Sequence, residues 1–314
     1  MVQIGTDIDL AVKLLRAGEL VAIPTETVYG LAANALDETA VAKIFAAKQR
    51  PSFDPLIIHL PSIDKVNEYV KAMPDEFLPI ITSHMPGPLT LLLEKRDIVP
   101  DITTSGLTKV AVRIPGHSLA RDLLRELDFP LAAPSANPFG YISPTNAQHV
   151  ADQLGERISY ILDGGPCEVG LESTIIGIEE GLPTVFRKGG LSIDLVKEYL
   201  PDVVVKDHST SNPSAPGMLK SHYAPRIPLS LVESFTFGQG RKGYISFGEE
   251  LTVSHDCIYH DLSSTKNFRE AAQNLFRVMR LLDQHDLKEI QVKLLPEMDL
   301  GIAINDRLRR ASAD

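Results

Sequence analysis

The stretch 20-LVAIPTETVYGLA-32 joins a short apolar run to a helix-like segment through a loop carrying two threonines, a glutamate, a tyrosine and a glycine. Apolar runs of this length suit strands, and polar side chains just beyond a strand end are where open α/β sheets hold ligands. The loop is therefore either a routine strand-to-helix turn or one wall of a pocket for a small polar molecule.

Outward from it, strand-length apolar segments recur at 56-LIIHL-60, 89-LTLLLEK-95, 110-VAVRI-114, 131-LAAPS-135, 159-SYILD-163, 174-TIIGI-178 and 184-TVFRK-188. Helix-period stretches lie between several of them, at 7-DIDLAVKLLRAGE-19, 38-ETAVAKIFAAKQ-49, 118-SLARDLLREL-127 and 145-TNAQHVADQLG-155. Such an alternation predicts an α/β or α+β domain with a mixed sheet over residues 1–207. Thr6 is placed to cap the first helix and Gly18 to stop it. Near residue 207 the periodicity breaks. The segment 208-HSTSNPSAPGMLKSHYAPRIP-228 has the composition of a linker. Residues 229–314 then resume with 243-GYISFG-248, 266-KNFREAAQNLFRVMRLLDQH-285, 289-EIQVKLL-295 and 298-MDLGIAINDRLRRASA-313, the content of a small α/β domain.

A chain of 314 residues, 44% hydrophobic, can bury two cores. It has no uncharged apolar run of about 18 residues, and acids interrupt its first segment, so neither a membrane span nor a secretory signal is expected. Cys167 and Cys257 have no CxxC partner, which argues against a zinc site or disulfide framework and for the cytoplasm. The net charge of −10 lies entirely before residue 208, where 18 Lys and Arg face 28 Asp and Glu, against 13 of each thereafter. Such a surface repels polyphosphates, so anion binding must rest on a local basic cluster.

The signatures GxxxxGK[ST], GxGxxG, GxSxG and HExxH are all missing, so nucleotide chemistry would need another framework. Three constellations remain. In 48-KQRP-51, followed by Asp54 and His59, Lys48 and Arg50 either face an anion or complement a helix C-terminus, and His59 is either a contact or a core histidine. Arg113 ends an apolar strand, where a half-buried guanidinium needs an anionic partner. With it goes 133-APSANPFGYISPT-145, in which Ser135 and Asn137 follow a strand. That segment also reads as a turn with Ser143 capping the next helix. Finally, 163-DGGPCEVGLESTIIGI-178 with 187-RKGG-190 offers Gly-rich loops, Ser173, Arg187 and Lys188 for phosphate, or simply loops. In an acidic domain, the gathering of Lys48, Arg50, Arg113, Arg187 and Lys188 beside strand and helix ends favours carboxylate or phosphate recognition.

Together these segments resemble the YrdC-like threonylcarbamoyl-AMP synthase family in its long form. The carrying motifs are 24-PTETVYGLA-32, 48-KQRP-51 with 55-PLIIHL-60, 86-PGPLTLLL-93, 110-VAVRIP-115, 133-APSAN-137 with 143-SPT-145, 163-DGG-165, 172-EST-174, 216-PGMLKSHYAP-225 and 300-LGIAINDRLRRAS-312. The resemblance implies an open, strongly twisted mixed sheet with a concave positive pocket, a smaller Rossmann-like C-terminal domain, and a linker crossing the pocket. It further implies condensation of L-threonine, bicarbonate or CO2 and ATP to threonylcarbamoyl-AMP and pyrophosphate, for a separate transferase that modifies tRNA.

By the same resemblance Thr27, His59, Arg113 and Ser173 serve threonine, with Arg113 on its carboxylate. Arg50, Asp54, Lys109, Ser135, Asn137, Ser143, Arg187 and Tyr223 serve ATP. Lys48 neutralises charge between them, and Lys48, Arg50 and Arg113 form the catalytic group. Mg2+ would travel with ATP, because no carboxylate cluster offers a protein cage. Glu26, beside an anionic substrate, is expected to face the threonine ammonium or a structural partner. Gln49 and Phe139 depart from the family pattern, which usually has glycine and serine at these positions. Two other functions compete. A carbamoyl-adenylate enzyme of the hydrogenase-maturation type normally carries acylphosphatase or zinc-finger segments that are missing here. A double-stranded RNA or tRNA-binding module is disfavoured by the acidic charge, although weak tRNA association is compatible with the synthase.

Overall fold

The computed structural model describes residues 2–206, 215–216, 222–237, 240–253 and 256–313. Most of the 208–228 linker therefore lies outside the described residues. The strands up to Val205 form one mixed sheet. Its order is Gln3–Gly5, Tyr160–Leu162, Val21–Ile23, Gly30–Asn34, Leu131–Ala132, Ile57–His59, Lys109–Arg113, Leu89–Glu94, Thr174–Glu179, Leu182–Arg187, Val204–Val205. The strands from Leu229 onward form a second, all-parallel sheet ordered Leu229–Leu231, Glu289–Val292, Lys242–Ser246, Ile258–Asp261.

The opening stretch differs from its expectation. Val21–Ile23 turns into an antiparallel strand, Gly30–Asn34, with Val21 opposite Ala32, and the helix Glu38–Lys48 follows only after that. The second strand was illegible because 30-GLAAN-34 has no β-branched residue and is buried along almost its whole length, which removes the alternation that marks a strand. Two caps also move. Asp7, not Thr6, caps the first helix by accepting from the Leu10 amide at 3.0 Å. Asn146, not Ser143, caps Ala147–Leu154 through the His149 amide at 2.9 Å. Gly18 does end the first helix, at φ 74°.

Side-chain alternation decides what the sheet offers on each face. Ile58, Leu91, Val112, Ile176 and Val185 enter the main core, while Ile57, Leu92, Ala111, Ile175 and Phe186 form a small apolar patch on the opposite face, against Ala215. His59 and Arg113 are opposite one another in register and, two residues beyond Ile57 and Ala111, point to that second face. Arg187 reaches it by a bulge. The register shift between Val185 and Arg187 sets Arg187 opposite Ile175, whereas unbroken alternation would have buried it with Val185.

The second domain packs Phe268–Asp283 and Gly301–Ala311 around Ile245, Ile290 and Val292. The buried Asn305 amide ties the last helix to the Leu295 backbone, with both hydrogen bonds at 2.8 Å. Gly170 sets the approach of the two domains. It sits at φ 76°, and a Cβ there would lie 2.5 Å from the Gln273 backbone of Phe268–Asp283. Gly170→Ala should destabilise the chain by at least about 1 kcal/mol in urea unfolding, since strained conformation and backbone clash combine.

Candidate active site

The polar loop of the opening stretch is stitched down before it reaches any ligand. The Tyr29 amide donates to Pro144 O at 2.9 Å, the Leu31 amide to Pro134 O at 2.7 Å, and the Val169 amide to Glu26 O at 2.7 Å. Thr25 Oγ1 donates to Val28 O at 2.6 Å, which uses its single proton. The 2.7 Å contact between the Thr25 and Thr27 hydroxyls therefore has Thr27 as donor. Thr27 lines the cavity with an oxygen whose lone pairs are free, an acceptor suited to an ammonium or hydroxyl group.

Glu26 resolves onto a structural partner. Its Oε1 takes the Arg113 Nη2 at 2.6 Å, and its Oε2 takes the Gly116 amide at 2.9 Å. Arg113 Nε also donates to Gly87 O at 3.3 Å, so the guanidinium is fixed on two sides. Its Nη1 makes no hydrogen bond among the described residues and remains for a ligand at the cavity it lines. Beside it His59 is 2% exposed, with Nδ1 buried and unpartnered. Burial, reinforced by Arg113, pushes the His59 pKa down to about 3, so the imidazole is neutral at physiological pH.

Residues 48–54 and 133–143 form the next wall. Arg50 donates to Asp54 O at 2.9 Å and Pro55 O at 2.8 Å, and pairs with the Asp54 carboxylate at 2.9 Å. Lys48, expected as a neutraliser, donates to Ser135 O and Asn137 O, both at 2.5 Å, and burial followed by the Arg50 charge holds its pKa well below the usual lysine value. It braces the loop that presents Ser135. The Asn137 amide likewise donates to Pro138 O and Tyr141 O, and Ser143 Oγ donates to Glu172 Oε1 at 2.5 Å.

Arg187 donates to Ser173 O and Ser173 Oγ, each at 3.0 Å, and to Pro216 O at 3.3 Å. The remaining cover comes from the linker and the second domain. His222 and Tyr223 line the cavity with ring centroids 4.1 Å apart. Tyr223, at φ 65°, is held in this strained backbone conformation between the guanidinia of Arg307 and Arg310, 4.9 and 4.7 Å from its ring, and by stacking on Phe276. Arg307 is fully buried and bonds Glu172 at 2.9 Å, Asp306 at 2.6 Å and Lys188 O at 2.9 Å. Burial opposes its charge, but Tyr223 and the carboxylates of Glu172 and Asp306 raise its pKa above the usual arginine value.

One cavity of about 580 Å³, counting its open mouth, thus gathers Thr27, Arg50, His59, Arg113, Ser135, Ser173, Arg187 and Tyr223. Lys48, Asp54, Asn137 and Ser143 do not line it: Lys48 and Ser143 bond protein oxygens, Asp54 pairs with the wall residue Arg50, and Asn137 donates through its side-chain nitrogen while its Oδ1 is buried and unpartnered. Lys109 donates to Ile178 O at 2.6 Å and lines a separate hollow farther along the sheet. Arg307 and Arg310 escaped sequence reasoning, although 307-RLRR-310 in a helix with buried Asn305 and Asp306 was a signal of charge turned inward. His222 registers the cationic surroundings: burial and then Arg310, Arg50, Lys48 and Arg307 hold its pKa far below the ordinary value.

A pH prediction follows from the depressed histidines. His59 and His149, with pKa values of about 3 and 4, bind fewer protons than in the unfolded chain between those values and about 6.5. Their contribution to stability is complete above pH 6.5 and declines as pH falls through this window. Urea unfolding between pH 7 and pH 4 should show that loss, and His59→Gln should make the dependence shallower.

A bulge-aimed arginine, a braced guanidinium and a neutral histidine on one face line a concave, cation-rich cavity in an α/β domain, which the linker residues His222 and Tyr223 help to cover. A family model described as "Telomere recombination" matches residues 13–189, and one described as "Threonylcarbamoyl-AMP synthase, C-terminal domain" matches 191–313. The threonylcarbamoyl-AMP synthase of Pyrococcus abyssi is 40% identical, over 97% of this chain and 94% of its own length. That of Bacillus subtilis is 37% identical, over 96% and 92%. The crystal structure of P. abyssi Sua5 complexed with L-threonine superposes with a TM-score of 0.91 at 36% identity, covering 99% of this chain and 97% of that one. The chain belongs to the long-form, YrdC-like threonylcarbamoyl-AMP synthase family.

Proposed function

We propose that the chain joins L-threonine, bicarbonate or CO2 and ATP into threonylcarbamoyl-AMP, releasing pyrophosphate. The observation that carries this reading is the cavity itself: a fixed Arg113 with one free Nη1, beside a neutral His59, opening toward Arg50 and Arg187. The threonine carboxylate pairs with Arg113 Nη1, and Thr27 accepts from its ammonium or hydroxyl group. The amine, once deprotonated, adds to CO2 to give a carbamate, whose oxygen attacks the α-phosphorus of ATP as pyrophosphate departs.

The protein contributes position and positive potential, the main needs of such a transfer. Arg50 and Arg187 face the phosphates, and Ser135 and Tyr223 border the nucleotide. Mg2+ would be carried by the triphosphate, whose charge it offsets. Pro216, His222 and Tyr223 cover the cavity, and exclusion of water by this cover protects a labile mixed anhydride. The product would pass in the cytoplasm to a transferase acting on tRNA.

Mass spectrometry of a reaction containing 13C-bicarbonate tests the proposal. A threonylcarbamoyl-AMP ion one mass unit heavier than in unlabelled bicarbonate is expected, whereas AMP formation without that species would refute it.

A further inference from the structure

The loop Asn137–Tyr141 separates the catalytic cavity from a second hollow of about 1080 Å³, counting its open mouth, between the two domains. Phe139 stands in the partition. It lines the second hollow, while its ring meets His222 of the cavity cover at 5.7 Å. Tyr141, Asp152, Arg226 and Arg280 form most of the remaining polar and aromatic lining.

Arg280 is the informative residue. It is 5% exposed, donates to Ser143 O at 3.2 Å, to Ile142 O and to Gln153 Oε1 at 2.9 Å, and lies 5.2 Å from the Tyr141 ring. No carboxylate among the described residues is within ion-pair distance of it, and its Nη1 makes no hydrogen bond. A buried guanidinium of this kind is costly unless an anion meets it, and burial lowers its pKa to about 10. Asp283 does not fill that part: it is held by Arg226 Nε at 3.0 Å, the Ile227 amide at 3.0 Å and the Tyr141 hydroxyl. The Arg226 side chain is 72% exposed, and its Nη1 is also without a hydrogen bond among the described residues. Asp152 is held through one oxygen, by Gln148 at 2.6 Å.

We propose that this hollow binds a nucleoside phosphate, with its base against Phe139 and Tyr141, its phosphate on Arg226 and the free Nη1 of Arg280, and its ribose hydroxyls on Asp152. Aromatic faces, guanidinia and one carboxylate are the groups such a ligand requires. The site is distinct from the catalytic cavity and does not depend on the reaction assigned there.

Cross-linking of the full chain with 8-azido-AMP, followed by peptide mapping, tests it. Label is expected on Ala147–Leu154 and on residues 280–284, none of which lines the catalytic cavity. Arg226→Gln should lower that label about tenfold, the loss of one charge-assisted hydrogen bond. Phe139→Ala, which touches no buried charge, should lower it about fivefold or more. Protection by unlabelled AMP or by the trinucleotide ApApA supports the site, and whichever protects at lower concentration identifies a free nucleotide or an RNA strand as its source. Label confined to the catalytic cavity, indifference to both variants, or protection by inorganic phosphate equal to that by AMP would overturn the proposal.

Discussion

Arg113→Ala should lower threonine-dependent pyrophosphate release by about two to three orders of magnitude, with the loss concentrated in kcat/KM for threonine and ATP affinity nearly unchanged. Two effects combine. The substrate carboxylate loses its charge-assisted partner, and Glu26, bonded at 2.6 Å to Arg113 and almost completely buried, is left with only the Gly116 amide. Arg113→Lys should restore little. An ammonium is a point charge and cannot hold Glu26, Gly87 O and a ligand in three fixed directions as the guanidinium does. Steady-state kinetics with threonine and ATP varied separately measure the split. Equal losses toward both substrates would show that Arg113 acts by holding the fold.

The largest effect on stability is expected at Arg307. Its removal leaves buried Glu172 with the Ser143 hydroxyl but no guanidinium bonded to it, and leaves Asp306 with the longer Arg310 contact at 3.7 Å, a change of about 3–5 kcal/mol for a broken buried pair. Arg307→Ala should therefore lower the urea midpoint strongly. Because Arg307 also lies over Tyr223, the cover should loosen before the catalytic domain unfolds. Glu172→Gln in the same chain removes one stranded charge, so the double variant should be more stable than Arg307→Ala alone. Additive losses would mean that the Glu172 contact is not coupled to Arg307.

How much of this was legible depends on whether the signal was local. The strands around Ile57–His59, Lys109–Arg113 and Thr174–Glu179 were readable because apolar, β-branched runs declare themselves. Gly30–Asn34 was not, because alanine-rich residues buried on both faces carry no period. Arg50, Arg113 and Arg187 stood out as cations in an acidic domain. What could not be read is where Arg187 points, because a bulge reverses its face, and that Lys48 donates to the carbonyls of Ser135 and Asn137. Glu26 posed the same problem: a carboxylate near an anion site is puzzling in sequence and becomes the anchor of Arg113 in three dimensions. The second domain's part in the site was hidden for a related reason. Arg307 and Arg310 meet Tyr223 across more than eighty positions of chain, and no spacing rule connects them.

The most direct test is an omission assay of pyrophosphate release with the full chain, Mg2+ and ATP, in which threonine and bicarbonate are withheld in turn. Release that requires both is expected, and it should fall to background in Arg113→Ala. Release at an undiminished rate without threonine would contradict the account.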